Sequence, residues 1–408
     1  MSPPAPKAPR SPASPVSRAA QPSVSLLLDW YHPEIHAGVV RAARDFGWNL
    51  DDDRCRGHHG RFLPQDWMPD GVIATTATDP VLEWVRKVPA PVVRVMDDCA
   101  PGSEGEPADG LPTVVPCLRE AGQMAAQHLL SLGIPNIAFY RYYRPRNDNA
   151  VFPAFMDCCR MAGIDPIILD FPKAYAGIPH SQWPGRPARL DWLKEQLAAL
   201  PLPCAIMADD DRFAIDVVTE AIELGLRVPE DIAVLGVMDM RLVHQRLPIG
   251  LSSVNVNLEQ VGYEAGRKLD LLMRGENVNR LTRVPARGLI ERKSTSTYQC
   301  DDPRISRTVV RIRRDHAEPL SVPVLAREAG MSVRALQRAY SIHCGESIRD
   351  ALMECRLNAA AALLRDTDLK LESVACESGL GNATNLCRMF KKRFGRTPGA
   401  WRLKMGSV

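Results

Sequence analysis

The chain has 408 residues, 45% of them hydrophobic and 24% charged; that length supports two or three domains with cores of their own, and the balance excludes a largely disordered or collagen-like chain. No apolar run reaches the roughly 18 residues of a membrane helix, no apolar segment follows the basic N-terminus as a secretory signal would require, and 11 cysteines without a Cys-x-x-Cys pair suit reduced thiols, so a cytoplasmic protein without a membrane anchor is expected. From Arg304 onward 19 Lys and Arg stand against 10 Asp and Glu, while the preceding residues hold 32 against 38, so the C-terminal end suits a polyanion and the rest another task.

Residues 1–22 hold seven prolines and almost nothing to bury, which predicts a solvated, polyproline-II-biased tail. From Ser23 short apolar runs alternate with longer amphipathic stretches, the pattern of βα units on a mainly parallel sheet. Strands are predicted at Val24–Leu28, Gly71–Thr75, Val92–Val95, Asn136–Tyr140, Pro166–Leu169, Ala205–Ala208 and Ile232–Gly236. Helices are predicted at Glu34–Phe46, Pro80–Lys87, Leu118–Leu132, Arg189–Leu197, Arg212–Leu224 and Leu258–Met273. Residues 23–296 thus form an α/β module, long enough for two lobes around a cleft. The polar stretch Lys293–Pro303, with its Asp-Asp-Pro, predicts a linker, placed at 297–308. Beyond it, 309–408 is helical only.

Within that last region Leu320–Ala329 is an amphipathic helix, Gly330-Met331-Ser332 a turn and N-cap, and Val333–His343 the next helix, which is helix-turn-helix spacing. Leu336 and Tyr340 face inward there, and Arg334, Gln337 and Arg338 outward. Leu386 and Phe390 repeat that pair 50 residues later: Leu371–Ser378, a Gly379-Leu380-Gly381 turn, Asn382 as N-cap, then Ala383–Phe394, with Arg388 outward. Arg356–Leu364 ties the two modules together. Arg and Gln suit guanine and adenine edges, and Lys391, Lys392 and Arg393 at the end of the second helix suit phosphate. The competing explanation, a solvated cationic face on a structural bundle, fits any one arginine but not tandem modules in the basic end of the chain.

Ser373-Val374-Ala375 through Gly379-Leu380, Phe390-Lys391-Lys392-Arg393-Phe394-Gly395-Arg396-Thr397-Pro398 and Trp401-Arg402 resemble the signature of AraC/XylS transcription factors over about a hundred residues. The resemblance implies double-stranded DNA as partner, with base contacts from Arg334, Gln337 and Arg338 in the first module and from Ala383, Thr384, Cys387 and Arg388 in the second. Ala383 and Cys387 depart from the usual polar readers and point to thymine methyls or backbone grip.

Ala205 to Asp211, Leu224-Gly225-Leu226-Arg227-Val228-Pro229-Glu230-Asp231 through Asp239, Leu251–Val254, Glu259–Leu272 and Ile290-Glu291-Arg292-Lys293-Ser294-Thr295 are similar to the effector domain of LacI/GalR repressors and periplasmic sugar-binding proteins. That similarity implies a two-lobed, periplasmic-binding-protein-like fold, a homodimer, and a small-molecule effector of the sugar class in the cleft. Candidate cleft residues are Asp29, Trp30, Tyr31, Arg141, Asp210 and Asp239. Met238 stands where sugar-binding relatives carry an aspartate, and a thioether cannot accept sugar hydroxyls as a carboxylate does; Val151 stands where an arginine is usual. Trp30 or Tyr31 stacks on a ligand ring or simply packs, and Asp209 to Asp211 line the cleft or cap the following helix. Dimerisation through Glu34–Phe46 and Pro80–Lys87 follows from the fold alone.

Other constellations carry less. Cys55, His58 and His59 lack a fourth metal ligand nearby, and Cys158-Cys159, on a helix with Met156 and Met161, suits packing. No phosphate loop or nucleophile elbow is present, so no cofactor and no catalysis are expected. The alternatives are a ligand-free dimerisation module, or weak hydrolysis by Asp209, Asp210, Asp211 and His244.

Overall fold

The computed structural model describes residues 21–28, 31–52, 68–75, 83–95, 110–142, 150–178, 182–240, 247 and 249–406. Two compact units result. The first comprises the described residues up to Val95, 110–114 and Glu259–Thr282; the second runs from 115 to Leu258 and from Arg283 onward.

The sheet of the first unit contains β1 (Ser23–Leu27), β2 (Asn49–Asp51), β3 (Gly71–Ala74), β4 (Val92–Val95), β5 (Thr113–Pro116) and β11 (Leu281–Val284), in the order β11-β5-β4-β3-β1-β2. Helix α1 (Pro33–Phe46) follows β1. The sheet of the second unit contains β6 (Asn136–Arg141), β7 (Ile167–Asp170), β8 (Cys204–Ala208), β9 (Ile232–Val237), β10 (Ser252–Asn255) and β12 (Gly288–Ile290), in the order β12-β10-β9-β8-β6-β7. Its strands pair in parallel except β12, which runs antiparallel to β10.

Helices α2 (Leu118–Leu130), α3 (Val151–Met161), α4 (Phe171–Ala174), α5 (Arg186–Ala198), α6 (Asp211–Glu223) and α7 (Leu258–Met273) complete the α/β part. In each sheet the chain steps first to one side of its opening strand and then to the other, so a topological switch point lies between β1 and β3 and another between β6 and β8. Ligands of doubly wound sheets bind outside the carboxyl ends of strands at such points.

Seven predicted strands match observed ones to within a residue or so at either end, and five observed strands were not anticipated. The clearest omission is β10, whose Ser252, Ser253 and Asn255 hide it from a hydrophobicity pattern although both serines are fully buried. Strand β7 is an edge strand, and its Ile167 and Ile168 are exposed. The predicted helix Pro80–Lys87 falls partly outside the described residues, as do Asp29, Trp30, Cys55, His58, His59 and His244.

The C-terminal region is all helix: α8 (Pro303–Asp315), α9 (Val322–Glu328), α10 (Val333–Cys344), α11 (Ile348–Asp366), α12 (Leu371–Glu377), α13 (Ala383–Phe394) and α14 (Pro398–Gly406). The expected linker 297–308 is corrected here, because its residues from Pro303 open α8. Asp302, taken as part of a breaker, is the N-cap, its side chain accepting from Arg304 N–H at 2.9 Å, and Pro303 occupies the first helical position where a missing N–H costs nothing. The buried face of α8 is Ile305, Thr308, Val309 and Ile312, packed with Leu325, Leu336 and Tyr340 around the first module. A separate core of Leu357, Val374, Leu386 and Phe390, with Trp401 against it, holds the second. The tying helix α11 is longer than predicted and contributes to both cores.

Candidate effector site and nucleic-acid interface

In the second unit Arg141 ends β6, Asp209 and Asp210 follow β8, and Met238 and Asp239 follow β9, on adjacent strands flanking the switch point. The charged side chains among these have defined partners. Arg141 pairs with Asp170 at 3.5 Å and lies 4.6 Å over the Phe152 ring. Asp209 accepts from the Tyr142 N–H at 2.6 Å. Asp210 caps α6, accepting from the Arg212 and Phe213 N–H groups at 2.8 and 3.4 Å, and also pairs with the Arg212 guanidinium. Asp211 is fully buried and accepts from Ser253 Oγ at 2.6 Å and Met240 N–H at 2.7 Å.

Met238 and Asp239 adopt φ of 101° and 55°, left-handed values that cost a non-glycine residue about 1–3 kcal/mol each and persist where surroundings enforce them. The surroundings are visible. Asp239 N–H donates to Ser253 Oγ at 3.0 Å; its carboxylate accepts from Arg292 Nη2 at 2.7 Å and Asn255 Nδ2 at 3.0 Å, and the residue is 6% exposed. Val151 is the first residue of α3 and is buried. Sequence reasoning missed Arg292 and Asn255 as the holders of Asp239; Arg292 lay inside the Ile290–Thr295 match, so a signal for it existed.

In the first unit Tyr31 follows β1. Its hydroxyl meets His36 Nδ1 at 3.1 Å, and His36 Nε2 lies 2.8 Å from Asp52 Oδ2, so the phenol is fixed through a histidine to a carboxylate.

The two helix-turn-helix modules are built alike. Ser332 caps α10 by accepting from Ala335 N–H at 3.2 Å, and Asn382 caps α13 by accepting from Asn385 N–H at 2.9 Å. Both helices end at a glycine in the left-handed conformation, Gly345 and Gly395. Leu336 and Tyr340, and Leu386 and Phe390, are buried, so each helix presents its opposite stripe to solvent. On α10 that stripe holds Arg334, Gln337 and Arg338, all exposed, and Ile342, 70% exposed and missed from sequence, one turn beyond Arg338. On α13 Thr384 and Arg388 are exposed, and Ala383 and Cys387 are half-buried.

The cations of α13 divide. Arg393 forms a two-pronged pair with Glu354 of α11 at 2.7 and 2.8 Å, while Lys391 and Lys392 are exposed with no ion-pair partner among the described residues. Arg388 donates to Asn385 Oδ1 at 3.0 Å.

Residues 126–295 match the model of a periplasmic binding protein-like domain, and residues 325–404 match that of a helix-turn-helix domain. The chain thus joins a periplasmic-binding-protein-like domain to a helix-turn-helix domain that follows it, the arrangement of a transcription regulator, and it resembles AraC/XylS-type regulators built this way. It is similar to the xylose operon regulatory protein of Escherichia coli strain K12, 25% identical over 348 residues that cover 83% of this chain and 85% of that one. Its last part is similar to the helix-turn-helix transcriptional regulator GlxA of Rhizobium meliloti, 35% identical over 89 residues, or 22% of this chain and 28% of that one. Among solved structures, that of a xylose-binding transcription activator matches with a TM-score of 0.57 and 21% identity over 94% of this chain and 98% of that one. A transcriptional regulator in complex with cellobiose matches with a TM-score of 0.52 and 20% identity over 67% and 85%. Among the described residues no helix is long and apolar enough to cross a membrane.

Proposed function

We propose that the chain switches transcription in response to a small polyhydroxylated effector, a pentose before other sugars, bound at the carboxyl ends of β6, β8 and β9 in the second unit. Asp239 carries this proposal: a carboxylate held in a strained turn by Arg292 and Asn255 is an acceptor fixed in advance for ligand hydroxyls. Arg141 and Asp210 complete the part of the site in the second unit, and Asp29, Trp30 and Tyr31 are assigned to effector binding from sequence. Met238 and Val151 replace two polar selectors, so the specificity differs from that of relatives that keep them. Asp209, Asp210 and Asp211 are engaged as structural acceptors, which favours binding over turnover.

On the DNA side, Arg334, Gln337 and Arg338 contact bases from α10, Thr384 and Arg388 with Ala383 and Cys387 do so from α13, and Lys391 and Lys392 grip phosphate. Arg393 holds α13 to α11. The protein acts as a cytoplasmic homodimer on adjacent half-sites, each subunit spanning two successive major grooves.

Isothermal titration with D-xylose, other pentoses, hexoses and uronic acids tests the effector class, and selection from a random DNA library followed by footprinting tests the DNA side. Heat from a pentose with a dependent change in the footprint is expected. No heat from any sugar overturns the effector proposal and leaves the ligand-free dimerisation module; no selected sequence overturns the DNA proposal.

A further inference from the structure

Asp239 and the first recognition helix are joined by a continuous run of hydrogen-bonded and covalently linked groups, all within the second unit. Besides Asp239, Arg292 holds the Leu251 carbonyl through Nη1 at 2.6 Å. Its backbone closes a ring with Ser252, the Arg292 N–H donating to Ser252 Oγ at 2.7 Å and that hydroxyl donating back to the Arg292 carbonyl at 3.0 Å. Thr295 Oγ1 donates to the same Ser252 Oγ at 2.7 Å and meets His128 Nε2 of α2 at 2.9 Å. Thr295 spends its one proton on Ser252, so His128 is the donor in that contact, as the neutral Nε2–H tautomer provides. Burial and the nearby Arg313 hold His128 neutral, its pKa pushed down to about 3.

At the end of α2 the run passes to the DNA-binding region. The Ser131 carbonyl accepts from Arg313 Nη2 of α8 at 3.1 Å, and the Leu132 carbonyl accepts from Gln299 N–H at 2.8 Å. The Arg313 guanidinium lies 5.6 Å from the centre of the Tyr298 ring, and the Tyr298 hydroxyl donates to the His343 carbonyl, in the last turn of α10, at 3.1 Å.

Ser252 and Thr295 are fully buried and bonded to each other through their hydroxyls, so displacing one of them strands the other. A ligand hydroxyl on Asp239 shares that carboxylate with Arg292 and draws on the same charge, so empty and loaded states differ in how strongly Arg292 is held, which is the differential contact a switch requires. We propose that this run, from Asp239 through Arg292, Thr295 and Arg313 to Tyr298, couples the effector site to the first recognition helix and sets its affinity for DNA. The proposal rests on the effector role given to Asp239 above.

A double-mutant cycle on the full chain tests it without ligand. Asp239→Asn and Tyr298→Phe are made singly and together; Tyr298→Phe deletes one oxygen and leaves the ring in place. Two quantities are read: affinity for a DNA fragment selected by the wild-type protein, and hydrogen exchange of the amides of α10. Asp239→Asn should change both by about fivefold or more in the wild-type background and by less than about twofold in the Tyr298→Phe background. Thr295→Val should break the dependence and Thr295→Ser should keep it.

Equal effects of Asp239→Asn in the two backgrounds, no effect of it on α10, or equal behaviour of the valine and serine variants overturns the coupling. Because no sugar enters the cycle and exchange needs no DNA, failure of the proposed effector or of DNA binding is distinguishable from failure of the coupling.

Discussion

The three consecutive cations that close α13 are predicted to contribute unequally to DNA binding, and the inequality comes from tertiary contacts alone. Each phosphate contact on duplex DNA contributes a slope of about −0.9 to the logarithm of affinity against the logarithm of salt, so over a rise from about 50 to about 200 mM one contact is worth roughly 3.5-fold. Lys391 and Lys392 are exposed and carry no ion pair among the described residues. Lys391→Ala and Lys392→Ala should therefore each flatten the salt slope by about 0.9 and weaken binding to all sequences alike. Arg393 is already committed to Glu354 through both prongs of its guanidinium. Arg393→Ala should change the slope by less than half as much, and its effect should instead appear as a loss of stability, with Glu354 losing the partner that holds its carboxyl below its ordinary range. The assay is fluorescence anisotropy of a labelled duplex over a salt series, with urea unfolding of each variant alongside. Equal slope changes for all three alanine variants would refute the division, as would an unchanged slope for Lys391→Ala and Lys392→Ala.

Other expectations follow from single residues. Arg338→Ala should cost about 1–3 kcal/mol at one base pair of the selected site and little elsewhere; competition against every single-base variant of the site reads this, and an unaltered preference profile removes Arg338 as a base reader. Gly236 packs against Asp211 so closely that an added β-carbon would collide with Oδ1, and Gly236→Ala should destabilise by about 1–3 kcal/mol, seen as a lower urea midpoint; an unchanged midpoint contradicts the close approach. His128 binds its proton far less readily folded, at a pKa of about 3, than its ordinary value of 6.5. Its contribution to stability is therefore whole above about pH 6.5 and is lost as the pH falls toward 3, because only the unfolded chain takes up the proton in that window. The stability difference between wild type and His128→Gln should shrink from about pH 7 to about pH 4.5; a constant difference excludes a buried neutral His128.

Much of the α/β part was visible in short apolar runs, because parallel strands buried on both faces carry continuous hydrophobic residues, as in the fully buried β8 and β9. Strand β10 escaped for the opposite reason, its serines being buried by hydrogen bonds rather than by hydrophobicity. Helix α8 escaped because Asp302-Pro303 punctuates a chain in two ways, as a stop or as a cap with its first helical residue, and four apolar-facing positions among arginines are a faint stripe. At the candidate effector site the strand ends were legible from the alternation of elements. The division of labour among Asp209, Asp210 and Asp211 was not, since adjacent carboxylates differ only in what surrounds them.

By itself the sequence determined the helices of the two DNA-binding modules, their caps and their outward residues, because capping and the 3.6-residue period act between groups a few positions apart and need no distant partner. Only the tertiary structure decided which charges are available and which are committed. Arg292 meets Asp239 from 53 residues away, and Arg393 meets Glu354 from 39. Charges so far apart along the chain come together only when the sheet order and the helix packing close the distance, and no local pattern carries that information.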